Sequence, residues 1–192
     1  MKSPTPVLLP LLRSRIQGEV MAWLVLNPDQ EPSLSELAVH LHTSAPTVMR
    51  EVQRLADAGL IKQRRRGNQR VIRVETTNAL YPHLAAVMAL TYGPVPVLTG
   101  LLKQVNNVQQ AFIYGSWAAR YANHPGPVPA DIDVLVIGTA SLGDLDEVAE
   151  TASVKLLREV NIRRVRPTTW HNSDDPFKTT VLSRPTVELE LT

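Results

Sequence analysis

Between Ser33 and Gly59 the chain spells two short helices with almost nothing between them. Ser33 precedes an apolar series at helical spacing, Leu34, Leu37, Ala38 and Leu41, and Glu36 lies three residues on, a capping-box pattern. The tight turn His42-Thr43-Ser44 follows. Ser44 is an N-cap residue, and Pro46 is tolerated in a first turn because its missing N–H would be unpaired there anyway. Val48, Val52, Leu55 and Leu60 then face inward, while Thr47, Arg50, Glu51 and Arg54 are predicted to face outward. Gly59 is the expected stop. Upstream, Arg13 to Asn27 reads as another helix with Ile16, Val20, Trp23, Leu24 and Leu26 as its stripe, ended by Asn27-Pro28-Asp29.

The next residues change period. Leu60-Ile61-Lys62-Gln63, Arg64-Arg65-Arg66-Gly67-Asn68 and Gln69-Arg70-Val71-Ile72-Arg73-Val74 read as a hairpin with a Gly-Asn tip and basic flanks. Two short helices on a tight turn form a helix-turn-helix pattern, whose second helix presents its N-terminal outward residues to the DNA major groove. Three helices followed by a basic hairpin resemble the winged helix-turn-helix domains of bacterial repressors of the ArsR and MarR type, over about residues 10–76. The stretch LSELAVHLHTSAPTVMREVQRLADAGLI carries the likeness. It implies double-stranded DNA as partner and a homodimer on two-fold sites. It also implies DNA contacts from Ser44, Thr47, Arg50 and Arg54 on the helix, and from Arg64, Arg65, Arg66, Asn68 and Arg70 on the hairpin. Taken alone, the arginine run is equally a solvated hairpin tip. His40 and His42 read as capping or surface residues. With no cysteine, the chain lacks a thiolate metal sensor.

Charge supports a division of labour. Residues 1–75 hold 11 Lys/Arg against 7 Asp/Glu, and residues 76–192 hold 9 against 11. Six of the first group's bases fall between Lys62 and Arg73. A basic N-terminal half suits nucleic acid, and the acidic remainder needs another role. The absence of cysteine makes the cytoplasm the expected compartment. No run reaches about 18 uninterrupted apolar residues, so no membrane partner is expected. The apolar patch before Leu12 is short for a signal peptide.

Thr76-Thr77-Asn78 is the expected boundary. Asn78 to Thr91 and Val97 to Val105 read as helices, separated by Gly93-Pro94-Val95-Pro96. They form a connector over 77–106, or a dimer seam. Beyond it, Ala111-Phe112-Ile113-Tyr114 reads as a strand closed by Gly115-Ser116. Trp117 to Ala122 follows as a short helix, and Ile132 to Ile137 as a second strand opened by Asp131 and Asp133. Residues i and i+2 of a strand share a face, so the two carboxylates stand side by side, as magnesium requires. The Gly-Ser turn offers N–H groups and a hydroxyl to phosphates, and Arg120 adds a charged donor. An amphipathic helix and a third strand, Arg158 to Arg163, complete a mixed sheet.

The segment YGSWAARYANHPGPVPADIDVLVIG resembles the core of the minimal nucleotidyltransferase superfamily, over about residues 107–166. The likeness implies Gly115 and Ser116 for phosphate, and Asp131 and Asp133 for Mg²⁺ and catalysis. It departs from that family in two places. Ala119-Arg120 stands where an Arg-Gly is common, and Asn161 stands where a third carboxylate belongs, with Glu159 on the same strand face. Glu188 and Glu190 read as the wet face of an edge strand, and Trp170-His171 as part of a polar loop.

The fold class expected is α+β: a winged helix-turn-helix over 1–76, the connector, and a nucleotidyltransferase-like mixed α/β sheet over 107–192. The leading function is a DNA-binding transcriptional regulator whose degenerate C-terminal domain serves ligand sensing or assembly. The alternative is an active Mg-dependent nucleotidyltransferase, possibly antitoxin-type, using a nucleoside triphosphate and recruited or autoregulated through its winged helix.

Overall fold

The structure, a computed structural model, describes residues 11–122, 124, 129–171 and 176–191. The chain divides into two compact units, Met1–Gly93 and Pro94–Thr192.

In the first unit, α1 (Arg15–Leu26) starts on Ser14, whose side chain accepts the Gln17 N–H. α2 (Leu34–His40) has the complete capping box: Ser33 Oγ takes the Glu36 N–H at 3.2 Å, and Glu36 Oε2 takes the Ser33 N–H at 2.7 Å. α3 (Ala45–Asp57) is capped by Ser44, as its sequence predicts. The turn between α2 and α3 closes with His42 in the left-handed region (φ 50°), a conformation histidine tolerates better than most side chains. His42 is thus a turn residue. His40 packs edge-on against Trp23, and burial lowers its pKa, helped by the nearby His42.

β1 (Ile61–Arg66) and β2 (Gln69–Val74) pair antiparallel, from Ile61 opposite Val74 to Arg66 opposite Gln69. Only Gly67 and Asn68 lie between the strands. Gly67 has φ +61°, and a two-residue hairpin turn needs glycine where its first central residue is left-handed. The hairpin is fastened to the helices through the Ile72 N–H, which donates to the Pro32 carbonyl at 2.9 Å, and through the bridge Ser33–Val71. Val20, Leu24, Leu37, Val48, Val52 and Ile72 form the core. α4 (Tyr81–Tyr92) belongs to this unit: its Met88 is buried with Ala22, Val25 and Val74.

The second unit opens with α5 (Pro94–Leu102), which buries Leu98 and Leu102. Its sheet has the order β5-β4-β3-β6: β3 (Val108–Tyr114), β4 (Asp131–Gly138), β5 (Glu159–Val165) and the short β6 (Val187–Glu188). β3 runs antiparallel to β4 and β6, and β4 parallel to β5. A parallel neighbour requires a crossover, supplied by α7 (Leu142–Leu156). α6 (Gly115–Tyr121) leads out of β3. β4 is apolar on both faces because both are covered. Ile132, Val134 and Val136 pack with residues of α5, α6 and α7. Leu135 and Ile137 pack with α8 (Pro167–His171) and α9 (Pro176–Leu182) through Trp170 and Val181. Trp170 is therefore a core residue on a one-turn helix, which corrects the polar-loop reading of Trp170-His171. Glu188 and Glu190 are exposed, as expected for an edge.

By length and composition alone, Tyr81–Leu102 is apolar enough to cross a membrane. Three of its apolar side chains are buried in cores, Met88 in one and Leu98 and Leu102 in another, while Val87 and Leu90 are exposed.

Candidate nucleic-acid interface and carboxylate site

The carboxylate site is built by β3, β4 and β5 on the face that carries Leu135 and Ile137. Register puts Tyr114 opposite Asp133 on one side and Asn161 opposite Asp133 on the other. Asp131 is opposite Glu159. Gly115 bends the chain with φ +70°, and a Cβ there would stand 2.8 Å from Asp133 Oδ2. The Gly-Ser turn and the paired aspartates are thus brought together. Burial, and then the charge of Asp131, raise the Asp133 pKa, so its carboxylate is short of counter-charge. Burial and the Asp133 charge raise the Tyr114 hydroxyl likewise.

A cation would relieve this repulsion, and Asp131 and Asp133 are the residues to hold it. Asn161, an amide rather than an acid, stands opposite Asp133, and among the described residues no group of three or more Asp, Glu or His is placed to hold a metal ion. Arg163 lies two residues on, its guanidinium 3.7 Å from the centre of the Phe177 ring. An open groove of about 310 Å³ runs beside β5, with Tyr114, Asp146, Asn161 and Arg163 among its lining. Ser116 is exposed. Arg120 donates to the His124 carbonyl just beyond its own helix. Part of the loop before Asp131, including Asn123 and residues 125–128, lies outside the described residues.

The interface of the first unit is α3 and the hairpin. Ser44 Oγ and Thr47 Oγ1 lie 2.8 Å apart, and Arg50 reaches Thr47 Oγ1 at 3.4 Å. Arg54 is held differently. Its Nη1 is 2.8 Å from Glu51 Oε1, while Arg13 Nη2 is 3.0 Å from Glu51 Oε2. Glu51 is only 8% exposed. The expectation that it faces outward is corrected: its two oxygens join α3 to Arg13 in the segment just before α1. On the hairpin, Arg64 is paired with Glu31 and Lys62 with Glu75. Glu31 titrates below the usual carboxylate range because of Arg64, and Glu75 is pulled down to about 2 by Lys62 and Thr77. Arg65, Arg66 and Arg70 are exposed, and no carboxylate lies within ion-pair distance of them among the described residues. Asn68 is exposed at the tip.

Residues 13–70 match the MarR family. The matched MarR region runs from just before α1 into β2, so it contains the helix-turn-helix and most of the wing. Among solved structures, a mutant of MepR from a multidrug-resistant S. aureus clinical isolate is 18% identical. That match covers 40% of this chain and 55% of MepR, with a TM-score of 0.34. No curated protein matches the chain. Within the MarR region, sequence spacing missed two exposed positions of α3, Met49 and Gln53. Pro46, Met49, Arg50 and Gln53 fall at i, i+3, i+4 and i+7, and this is the stripe α3 turns outward. Listing exposed positions at helical spacing from Pro46 would have found both.

Proposed function

We propose that this protein is a DNA-binding transcriptional regulator of the cytoplasm. It acts as a homodimer that places α3 in the major groove and its wing on flanking phosphates. The observation that carries the reading is the wing itself, with Arg65, Arg66 and Arg70 exposed on a MarR-matching region and, among the described residues, no carboxylate within ion-pair distance of them. Of the candidate contacts, Ser44, Thr47 and Arg50 lie at the start of α3, and Asn68 at the wing tip. Arg64 is paired with Glu31 and Arg54 with Glu51, so part of each guanidinium is already engaged within the protein.

The C-terminal unit, in this proposal, is a nucleotidyltransferase-like body used for ligand sensing or assembly. Support comes from the strand, Gly-Ser turn and Asp-Ile-Asp order, and from the proximity of Gly115 to Asp133. A magnesium-bound nucleoside triphosphate is the ligand its two carboxylates would take, with Gly115, Ser116 and Arg120 toward phosphate. The charge-poor Asn161 favours binding over transfer chemistry.

The test is a titration of duplex DNA at several salt concentrations. If about four to six phosphates are neutralised per subunit, log K falls with log salt at a slope of about −4 to −5. Replacing Arg65, Arg66 and Arg70 together by alanine should reduce that slope by about 3. A slope the triple variant leaves unchanged would overturn the wing's role. Repeating the titration with Mg²⁺ and a nucleoside triphosphate examines the sensing arm, which Asp133→Asn should abolish.

A further inference from the structure

The outward stripe of α3 has a chemistry that the arginines do not explain. The branched apolar side chains of this helix are claimed by the core: Val48, Val52 and Leu55 are all buried. Met49 is 46% exposed. One turn further on, Gln53 is exposed, and its amide donates to Asp57 on the same helix, at 2.8 Å. A single hydrogen bond between exposed groups exchanges readily for another. Arg54 stands in contrast, because the buried Glu51 it pairs with also binds Arg13.

We infer that Met49 and Gln53 are the specificity-determining residues of α3 and that they read A·T pairs, Met49 through a thymine methyl and Gln53 through an adenine edge. The inference rests on the DNA-binding reading above and deepens it. In the major groove, adenine presents the N7 acceptor beside the N6 donor, which a glutamine amide meets with one N–H and its oxygen at once. Thymine alone presents a methyl group, and an exposed thioether side chain covers it without demanding a hydrogen bond. The two side chains are four residues apart and so lie on one helix face, about 6 Å along the axis. Arg54 is a positioning residue in this scheme: it holds one oxygen of Glu51 while Arg13 holds the other, and it leaves base choice to its neighbours.

The experiment selects sites from random duplex DNA with the full-length protein. Affinity is then measured on the selected site, on versions with each A·T pair changed to G·C, and on versions with each thymine replaced by deoxyuridine. Deoxyuridine removes only the methyl group. The wild-type protein should lose about tenfold on G·C replacement at one or more A·T positions. Gln53→Ala should bind at least one of those versions and the parent site within twofold of each other, while still discriminating at the position Met49 reads. Met49→Ala should be indifferent to one deoxyuridine that weakens the wild type. Arg54→Ala should keep the base preferences. Both target side chains are exposed, and circular dichroism of the variants confirms folding. If the wild type binds DNA but Met49→Ala and Gln53→Ala keep its full discrimination, this inference falls and the regulator reading stands. If the wild type binds no DNA in a salt-dependent way, both fall.

Discussion

Glu51 shows how one carboxylate changes the meaning of its neighbours. It sits three residues after Val48 and four before Leu55, at the margin between the buried and exposed faces of α3. Helical spacing alone leaves such a margin undecided. The deciding partner, Arg13, is 38 residues away in sequence, and no periodicity reports a contact at that range. The arginines on either side are about half exposed, so water screens each pair, and each contributes up to about 1 kcal/mol. Glu51→Ala is therefore expected to lower stability by roughly 1–2 kcal/mol, since it also uncovers apolar surface around the missing side chain. Glu51→Gln should cost less, because the amide oxygen still accepts from one guanidinium. Urea unfolding followed by circular dichroism measures both, and equal losses for the two variants would show that the charge, not the packing, carries the effect. The Gly-Ser turn lies at the other extreme of legibility. A glycine that ends a strand and lies far from its aspartates in sequence was readable, because residue type and spacing alone carry that pattern.

At the scale of elements, the hairpin and α2 form one unit held by carboxylates. Glu31 anchors Arg64, Glu75 anchors Lys62, and Glu36 closes the capping box with Ser33. All three titrate below their ordinary values: Glu31 chiefly through Arg64, Glu36 through the Ser33 N–H, and Glu75, at about 2, through Lys62 and Thr77. A carboxylate whose folded pKa is depressed stabilises the fold above its unfolded pKa. That stabilisation is lost as pH falls through the folded value. The hairpin and the start of α2 are thus expected to loosen between about pH 4.5 and 2. Amide exchange in β1, β2 and α2 should rise in that window before exchange in α1 does. Glu75→Gln should remove the lowest part of the response, and an unaltered profile would refute its assignment to Lys62–Glu75. Hairpin, turn and capping box were all legible, because each is a local pattern of residue types. The one-turn helix around Trp170 was not. It begins at Pro167 and is too short to show a period, and Trp170 is buried only because the second face of the sheet needs a cover.

At the scale of the whole chain, the sequence announces two kinds of region, basic and helical first, then a sheet. It does not announce which core takes the helices between them. Thr76-Thr77-Asn78 looks like an end because polar residues follow a strand. Yet Met88, ten residues beyond, is 1% exposed and packs with Ala22, Val25 and Val74. Apolar periodicity said that α4 has something to bury, but it cannot say against which unit. Gly93-Pro94 reads in the sequence as a break, and it is also where the two compact units part. The cores of the first unit, around Leu24 and around Met88, draw on no residue past Tyr92. A fragment of residues 1–93 is therefore expected to fold cooperatively with the helical signal of α1 to α4 and to bind duplex DNA with the salt slope of its wing. A fragment of residues 1–76 lacks α4. Leaving out the buried Met88 alone removes about 1.5–3 kcal/mol, and Ala22, Val25 and Val74 become exposed as well. Its melting temperature should fall well below that of 1–93. Paired thermal melts decide the matter: equal stability for the two fragments would mean that α4 lends nothing to the DNA-binding unit and belongs with the body that follows it.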